Sequence, residues 1–454
     1  MGIHRAAATL TSRSLSSSLA VLGLIAWAPG LQEDGPKWLV LLFLCLFGKG
    51  FDYRLCLFVL WACLSYLWAP DYPTQLMGVF IFAALFTIDV EDWVFPAGMV
   101  AACLLALFMA DGGLGNPNFL AAFIAVCIPW CFRKGRYWTL IPALFTLLLT
   151  DSKTAWFAFW IAGTIWLWKQ PWRDARWLAA ILFMVPINLA IFGVIDVWPS
   201  IHQRAEIWIN TIFMWLDHPF FGVGVNGFDY FYPLYGSDHL VLFPKWGYTQ
   251  EIQKFVGAAH NEYWQLLAQL GIVGFGLAIY FLKGLNWKGP AAWSVLIGGI
   301  LALIGFPLQN PATLAVIALC LGKLAPERAT GKPLRGCRWG PNGEIIARLP
   351  YVVISLVLIG FMTQQLRAEW AFQGTLAYFK TDPVEAIQAN IRAYEIAPWD
   401  FRFRYQLYPM LAKASTQKNV NIPEATWKRA WEISTSASPY SRYLKELRRA
   451  QHER

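Results

Sequence analysis

Arg204 and His260 stand near the two ends of the most polar, aromatic-rich interval of a chain otherwise built from apolar runs. A guanidinium offers a planar fork of N–H donors that grips phosphate oxygens in a bidentate way a lysine cannot reproduce. An arginine at an apolar boundary also snorkels, and the residue type alone leaves both readings open. His260 directly precedes the apolar run that starts at Tyr263, which places it at a helix N-terminus. The dipole there disfavours imidazolium, and a neutral histidine can accept a proton from a hydroxyl as a general base. A capping histidine would occupy the same position, so this reading too has a plain structural alternative.

Four of the six histidines, His202, His218, His239 and His260, fall in this interval, which raises the question of a metal. Their separations of 16, 21 and 21 residues match no compact ligand motif, and neither a cysteine pair nor an HExxH accompanies them. No metal is expected. Ser200 with Gln203 has the form of a capping box, so a helix is predicted to start there. It would carry an apolar stripe of Ile201, Ala205, Trp208, Ile212 and Trp215 along the membrane surface. Gly222, Gly224 and Gly227 predict tight turns or positive φ after His218.

The elements that must hold these residues are membrane helices. Hydrophobic residues make up 57% of 454 positions and charged residues 14%, about half the charged share of a soluble domain. Counting roughly 20 apolar residues per span, we read an all-α, polytopic membrane bundle of about 12–13 transmembrane helices. Lys and Arg recur in alternate breaks, as Arg5 and Arg13, Lys49 and Arg54, Arg133 to Arg136, Lys169 to Arg176, Lys283 and Lys288, and Lys323 to Arg348. Such residues stay on the cytoplasmic side, which puts the interval from about 198 to 262 outside. The break at Glu91 and Asp92 would be cytoplasmic yet acidic. The net charge of +9 is in large part this topology signal, and no nucleic-acid partner is expected. The run from Leu15 to Ala28 also fits a cleavable signal, although an uncleaved first helix suits a polytopic chain better. Seven of eight cysteines lie in or beside apolar runs, which argues against a disulfide framework.

Residues 1–363 read as the membrane domain and 364–454 as a soluble helical tail. Trp370, Gly374, Ala386, Ala393 and Pro398 have the spacing of one tetratricopeptide-like repeat. One repeat is too few to stack by itself, so the tail is expected to dock on its own membrane domain or on a protein partner.

The order Arg204, hydrophobic helix, HPFFGVGVNGF from His218, then HNEYWQLLAQLGIVGFG from His260 resembles the periplasmic loop of the O-antigen ligase and polymerase superfamily. GNPNFLAAF at Gly115–Phe123, DSKTAWFAFW at Asp151–Trp160 and FPLQNPATLAVIALCLG at Phe306–Gly322 are similar to further elements of that family. The resemblance spans Gly115 to Gly322 by motif, the earlier helices by topology alone, and the tail not at all. It implies an O-antigen ligase-like glycosyltransferase of the bacterial inner membrane, with catalytic loop and tail periplasmic and membrane lipids around the bundle. The donor would be a glycan on undecaprenyl pyrophosphate and the acceptor a hydroxyl of lipid A core or similar. Polymerases and protein O-oligosaccharyltransferases share the motifs, so a growing glycan or a protein acceptor stays open. A transporter and a non-enzymatic anchor for the tail are the other classes. His260 would be the base and Arg204 the pyrophosphate grip. Lys153 would add a second positive charge, although the family commonly has arginine there. Asn116, Asn118, Asn261 and Gln265 would contact or orient substrate. No cofactor and no metal are implied.

Overall fold

A computed structural model describes residues 2–26, 34–48, 52–69, 74–109, 111–168 except 133 and 134, 204–238, 256–326 except 257, 343–378, 382–400 and parts of 401–435. Within these residues every regular element is helical. The helices are α1 (Gly2–Ile25), α2 (Gly35–Cys45), α3 (Tyr53–Ser65), α4 (Thr74–Thr87), α5 (Val94–Leu105), α6 (Pro117–Cys127), α7 (Leu140–Thr150) and α8 (Lys153–Trp168). After α8 come α9 over 204–217, then α10 (Gly227–Asp238), α11 (Glu262–Lys283), α12 (Gly289–Leu301) and α13 (Pro311–Lys323). The chain continues as α14 (Gly343–Tyr378), α15 (Pro383–Ile396) and α16 (Glu424–Thr435). The predicted capping box at Ser200–Gln203 lies outside the described residues, as do His202, His239, Lys169 to Arg176 and Lys332 to Arg338.

Several helix starts follow one local rule. Asn116, Asn310 and Asp382 each cap a helix whose first position is proline, and each side chain accepts backbone N–H groups of the first turn. An Asx oxygen replaces the missing helical acceptor, and proline there removes a donor that would be orphaned anyway. Such caps are legible as Asn-Pro or Asp-Pro in the chain.

The core of the bundle is α6 and α13. Every residue from Leu120 to Cys127 and from Pro311 to Gly322 is buried, which is where helices apolar on all faces belong. α12 packs on both, with α1, α4, α5 and α8 around them. The outer faces are apolar as well: Phe108 is 87% and Ile141 73% exposed. Two helices, Glu262–Lys283 and Arg348–Gln373, are long and apolar enough to cross a membrane, and shorter apolar helices accompany them.

The two ends of the bundle differ in chemistry. At one end the acidic break meets the basic residues: Lys323 bonds the Asp92 carboxylate at 2.8 Å, Arg136 donates to the Asp92 carbonyl at 3.0 Å, and Arg13 pairs with Asp89 at 3.4 Å. An exposed pair such as Arg13–Asp89 adds little stability, but these contacts put Asp89 and Asp92 on the same end as Arg13, Arg136 and Lys323. The acidic break is therefore no exception to the charge pattern. Arg204, His260 and the turn before α6 gather at the other end.

The expected boundary at 363/364 falls inside α14, a single 36-residue helix that joins the last apolar run to the tail. A change in composition marks a change of surroundings, and a continuous hydrogen-bonded helix passes through it without a break. The tail half of α14 packs against α15, with Ala368 and Ala393 fully buried in one cluster and Trp370 turned outward, 73% exposed. Ile387, Leu407, Leu411, Ala414 and Ala430 form a separate small core.

A candidate active site on the segment between two helices

The site is organised by the short segment that joins α12 to α13, Ala302 to Asn310. Its backbone and side chains receive groups from three sequence-distant places. The Arg204 guanidinium, at the start of α9, donates through Nη1 to the Ile304 carbonyl at 3.0 Å. Asn261 donates to the Leu303 carbonyl at 2.9 Å, and the Glu262 carboxylate accepts from the Leu308 N–H at 3.0 Å. Gln265 accepts from Gln309 at 3.1 Å and from the Ala259 N–H at 2.9 Å. Asn310 reaches across to the Leu114 carbonyl, before the Gly115–Asn118 turn, at 3.3 Å. Finally, the His260 ring stands edge-on to Phe306 with centroids 4.8 Å apart, and Phe306 in turn meets Phe119 at 5.3 Å.

His260 has φ 51°, a left-handed conformation that few non-glycine residues adopt and that is held only where the surroundings over-determine it. The surroundings here are the Asn261 cap, which accepts from Tyr263 and Trp264 N–H, and the bond from the Glu262 N–H to the Ala302 carbonyl. The imidazole is pushed down to about 4 from 6.5, first by burial and then by the Arg204 charge. The expectation of a neutral histidine agrees with this, but its cause is burial and a cation rather than the helix dipole. Among the described residues neither ring nitrogen has a hydrogen-bond partner, so both stay available to a substrate.

Arg204 is half-buried, its basicity lowered by desolvation, and it forms no ion pair among the described residues. Among the described residues this partly desolvated guanidinium, close to a neutral histidine, has no counter-anion, and most of its fork is uncommitted. That combination suits an anionic ligand.

A second device joins α9 to α11. Gly271 has φ 64° and interrupts α11. The loop after His218 fills the break: Val223 and Gly224 N–H groups bond the Ala268 and Gln269 carbonyls at 2.9 and 2.8 Å, and the Ile272 N–H bonds Pro219 at 2.9 Å. Such substitution satisfies the backbone groups that a broken helix frees. Gly222 and Gly224 have positive φ as predicted; Gly227 instead starts α10, and Asn226 takes the third positive φ. On α9 the buried face is Ile207, Asn210, Thr211 and Met214, while Ala205, Trp208, Ile212 and Trp215 are only half-buried.

The other predicted residues divide. Asn261 uses its oxygen as a cap and its amide on Leu303, and the Gln265 oxygen holds Ala259 and Gln309; both support the turn that carries His260. Asn116 caps α6 and, like Asn118, is exposed. Lys153 opens α8 with an exposed side chain that makes no hydrogen bond or ion pair among the described residues. His218 is exposed and touches Phe231. No three His, Cys, Asp or Glu side chains converge as metal ligands among the described residues.

The family model described as O-antigen ligase matches residues 138–279. That stretch belongs to the O-antigen ligase superfamily. No curated protein matches the chain. The O-antigen ligase match contains Lys153, Arg204 and His260, and its family comprises glycosyltransferase-type enzymes of the inner membrane that use lipid-linked glycans. It ends before Ala302–Asn310, so the segment on which Arg204 and His260 converge lies beyond the matched residues. Phe306 and Gln309 were not among the residues singled out for chemistry. Asn310-Pro311, legible as a cap, was the one local signal that this segment is ordered.

Proposed function

We propose that this protein transfers a glycan from undecaprenyl pyrophosphate to an acceptor hydroxyl at the outer face of the inner membrane, in the manner of an O-antigen ligase. The observation that carries this reading is the convergence of Arg204, without an ion pair among the described residues, and a neutral, left-handed His260 on one segment. Apolar outer faces, two helices of spanning length and basic residues gathered at the opposite end of the bundle support the membrane orientation.

The chemistry is a single displacement at the anomeric carbon. Arg204 holds the pyrophosphate and stabilises the charge that develops as the bond from that carbon to the phosphate oxygen breaks and its electron pair leaves with the phosphate. His260 removes the acceptor proton as the new glycosidic bond forms. In-line attack inverts the anomeric centre. The leaving group supplies the driving force, so no nucleotide takes part. Lys153, exposed at the start of α8, adds a second positive charge in this reading, and Asn116 and Asn118 expose amides suited to sugar hydroxyls.

Purified protein in lipid, given a lipid-linked glycan and acceptor, tests the reading: wild type transfers and His260→Ala does not. Equal transfer by both would sink it. The surface polysaccharide of a deletion strain then assigns the acceptor among lipid A core, growing glycan and protein.

A further inference from the structure

A second set of buried charges lies behind the Gly115–Asn118 turn. Lys37, in the first turn of α2, is fully buried, and its ammonium donates to the Gly113 carbonyl. One residue on, Asn310 holds the Leu114 carbonyl from the opposite side. The turn that carries Asn116 and Asn118 is therefore gripped twice, once from the α12–α13 segment and once from α2.

A buried ammonium needs compensating charge. Asp34, directly before α2, lies close enough to Lys37 and Glu369 to feel the charge of each. Glu369 is 6% exposed and lies against α2, its Oε2 3.4 Å from where a Cβ on Gly35 would sit. Glu369 belongs to the tail half of α14. One turn earlier on the same helix, Gln365 accepts from the Trp399 indole at 2.9 Å and donates to Asp400, so the rest of the tail is tied to the same face.

We propose that the tail is a working part of the site, with Glu369 acting through Lys37 as a positioning residue for the turn that presents Asn116 and Asn118 to the donor glycan. Its last clause rests on the function proposed above; the mechanical coupling does not. The tail then docks on its own membrane domain at the point where the donor turn is set.

The full-length protein distinguishes these levels. Backbone hydrogen exchange of residues 111–119 is measured in wild type, Glu369→Gln and Lys37→Met, with Glu385→Gln, in an exposed pair with Arg392, as the silent control. Glu369→Gln preserves shape and covers the case in which Lys37→Met fails to fold. Exchange there rises severalfold in the Glu369 variant, and the KM for lipid-linked donor rises severalfold with kcat largely kept. Unchanged exchange in Glu369→Gln overturns the proposal, whatever happens to transfer. Faster exchange with unchanged KM overturns the working role. Faster exchange in a protein whose wild type transfers nothing upholds the coupling and sinks the catalytic reading instead.

Discussion

His260 is held edge-on by Phe306, ring centroids 4.8 Å apart and planes at 75°, and by no carboxylate among the described residues. The contact buries part of the imidazole against an apolar ring, so the group is oriented without being charged. A base held in this way is ready to accept a proton from a hydroxyl brought to it.

Removal of a positioned base typically lowers rate by about a hundredfold to ten-thousandfold. His260→Ala should insert and fold normally and lose transfer by that factor, whereas His218→Ala, which alters an exposed residue, should retain most of it. The assay is run with and without EDTA. Normal turnover in His260→Ala removes the base assignment, and chelator-sensitive transfer revives a histidine-metal reading.

Protonated His260 cannot act as a base, and its pKa in the folded protein, about 4, lies below the ordinary 6.5. Transfer should thus stay level from neutral pH to about 6 and fall as pH approaches about 4. Among the described residues the charged group that acts on the ring is Arg204 on α9, and the α12–α13 segment presents Phe306. Phe306→Ala admits water and should move the acid limb upward toward 6.5. The depressed pKa also means that the unfolded chain takes up the proton first. The stability associated with neutral His260 is complete above about 6.5 and declines as pH falls toward 4, which thermal unfolding across that window would register. An acid limb that Phe306→Ala leaves in place would contradict this account.

If Arg204 grips two phosphate oxygens, charge alone does not replace it. Arg204→Lys should be impaired nearly as much as Arg204→Ala, and the bond to the Ile304 carbonyl should not rescue it. Full activity of the lysine variant in the purified system rules out the bidentate role.

A Cβ on Gly271 would lie 2.1 Å from the Phe220 carbonyl oxygen, at a φ of 64°. The backbone conformation alone makes Gly271→Ala cost about 1–3 kcal/mol, and displacement of the loop adds to that. Gly276, also in α11, has open space around its Cβ position, so Gly276→Ala should be neutral. Melting temperatures of the two variants in one detergent make the comparison, and equal values would show that the paired loop carries no load.

Reporter fusions at Gly236 and after Arg367 should report the exterior, and one at Gly336 the cytoplasm. A cytoplasmic signal at Gly236 would place Arg204 and His260 on the wrong side for a periplasmic transfer.

Much of this protein is written locally in its sequence. Apolar runs specify helices, Asn-Pro and Asp-Pro mark where several begin, and Gly222 and Gly224 announce positive φ, because each depends on residues within a turn of one another. Arg204 and His260 stood out as candidates too, through residue type and motif. Only the tertiary structure decided what surrounds them. Phe306 on His260, the Ile304 carbonyl under Arg204 and Lys37 under the donor turn join positions tens to hundreds of residues apart, and nothing in their local spacing encodes the contact. The same holds for the cause of histidine neutrality: a helix dipole is read from adjacent residues, but burial and the Arg204 charge arise when separate segments pack. The expected boundary at 363/364 lies within one continuous helix for the converse reason. Composition records which solvent each residue meets, whereas α14 is continued by backbone hydrogen bonds that are indifferent to that change.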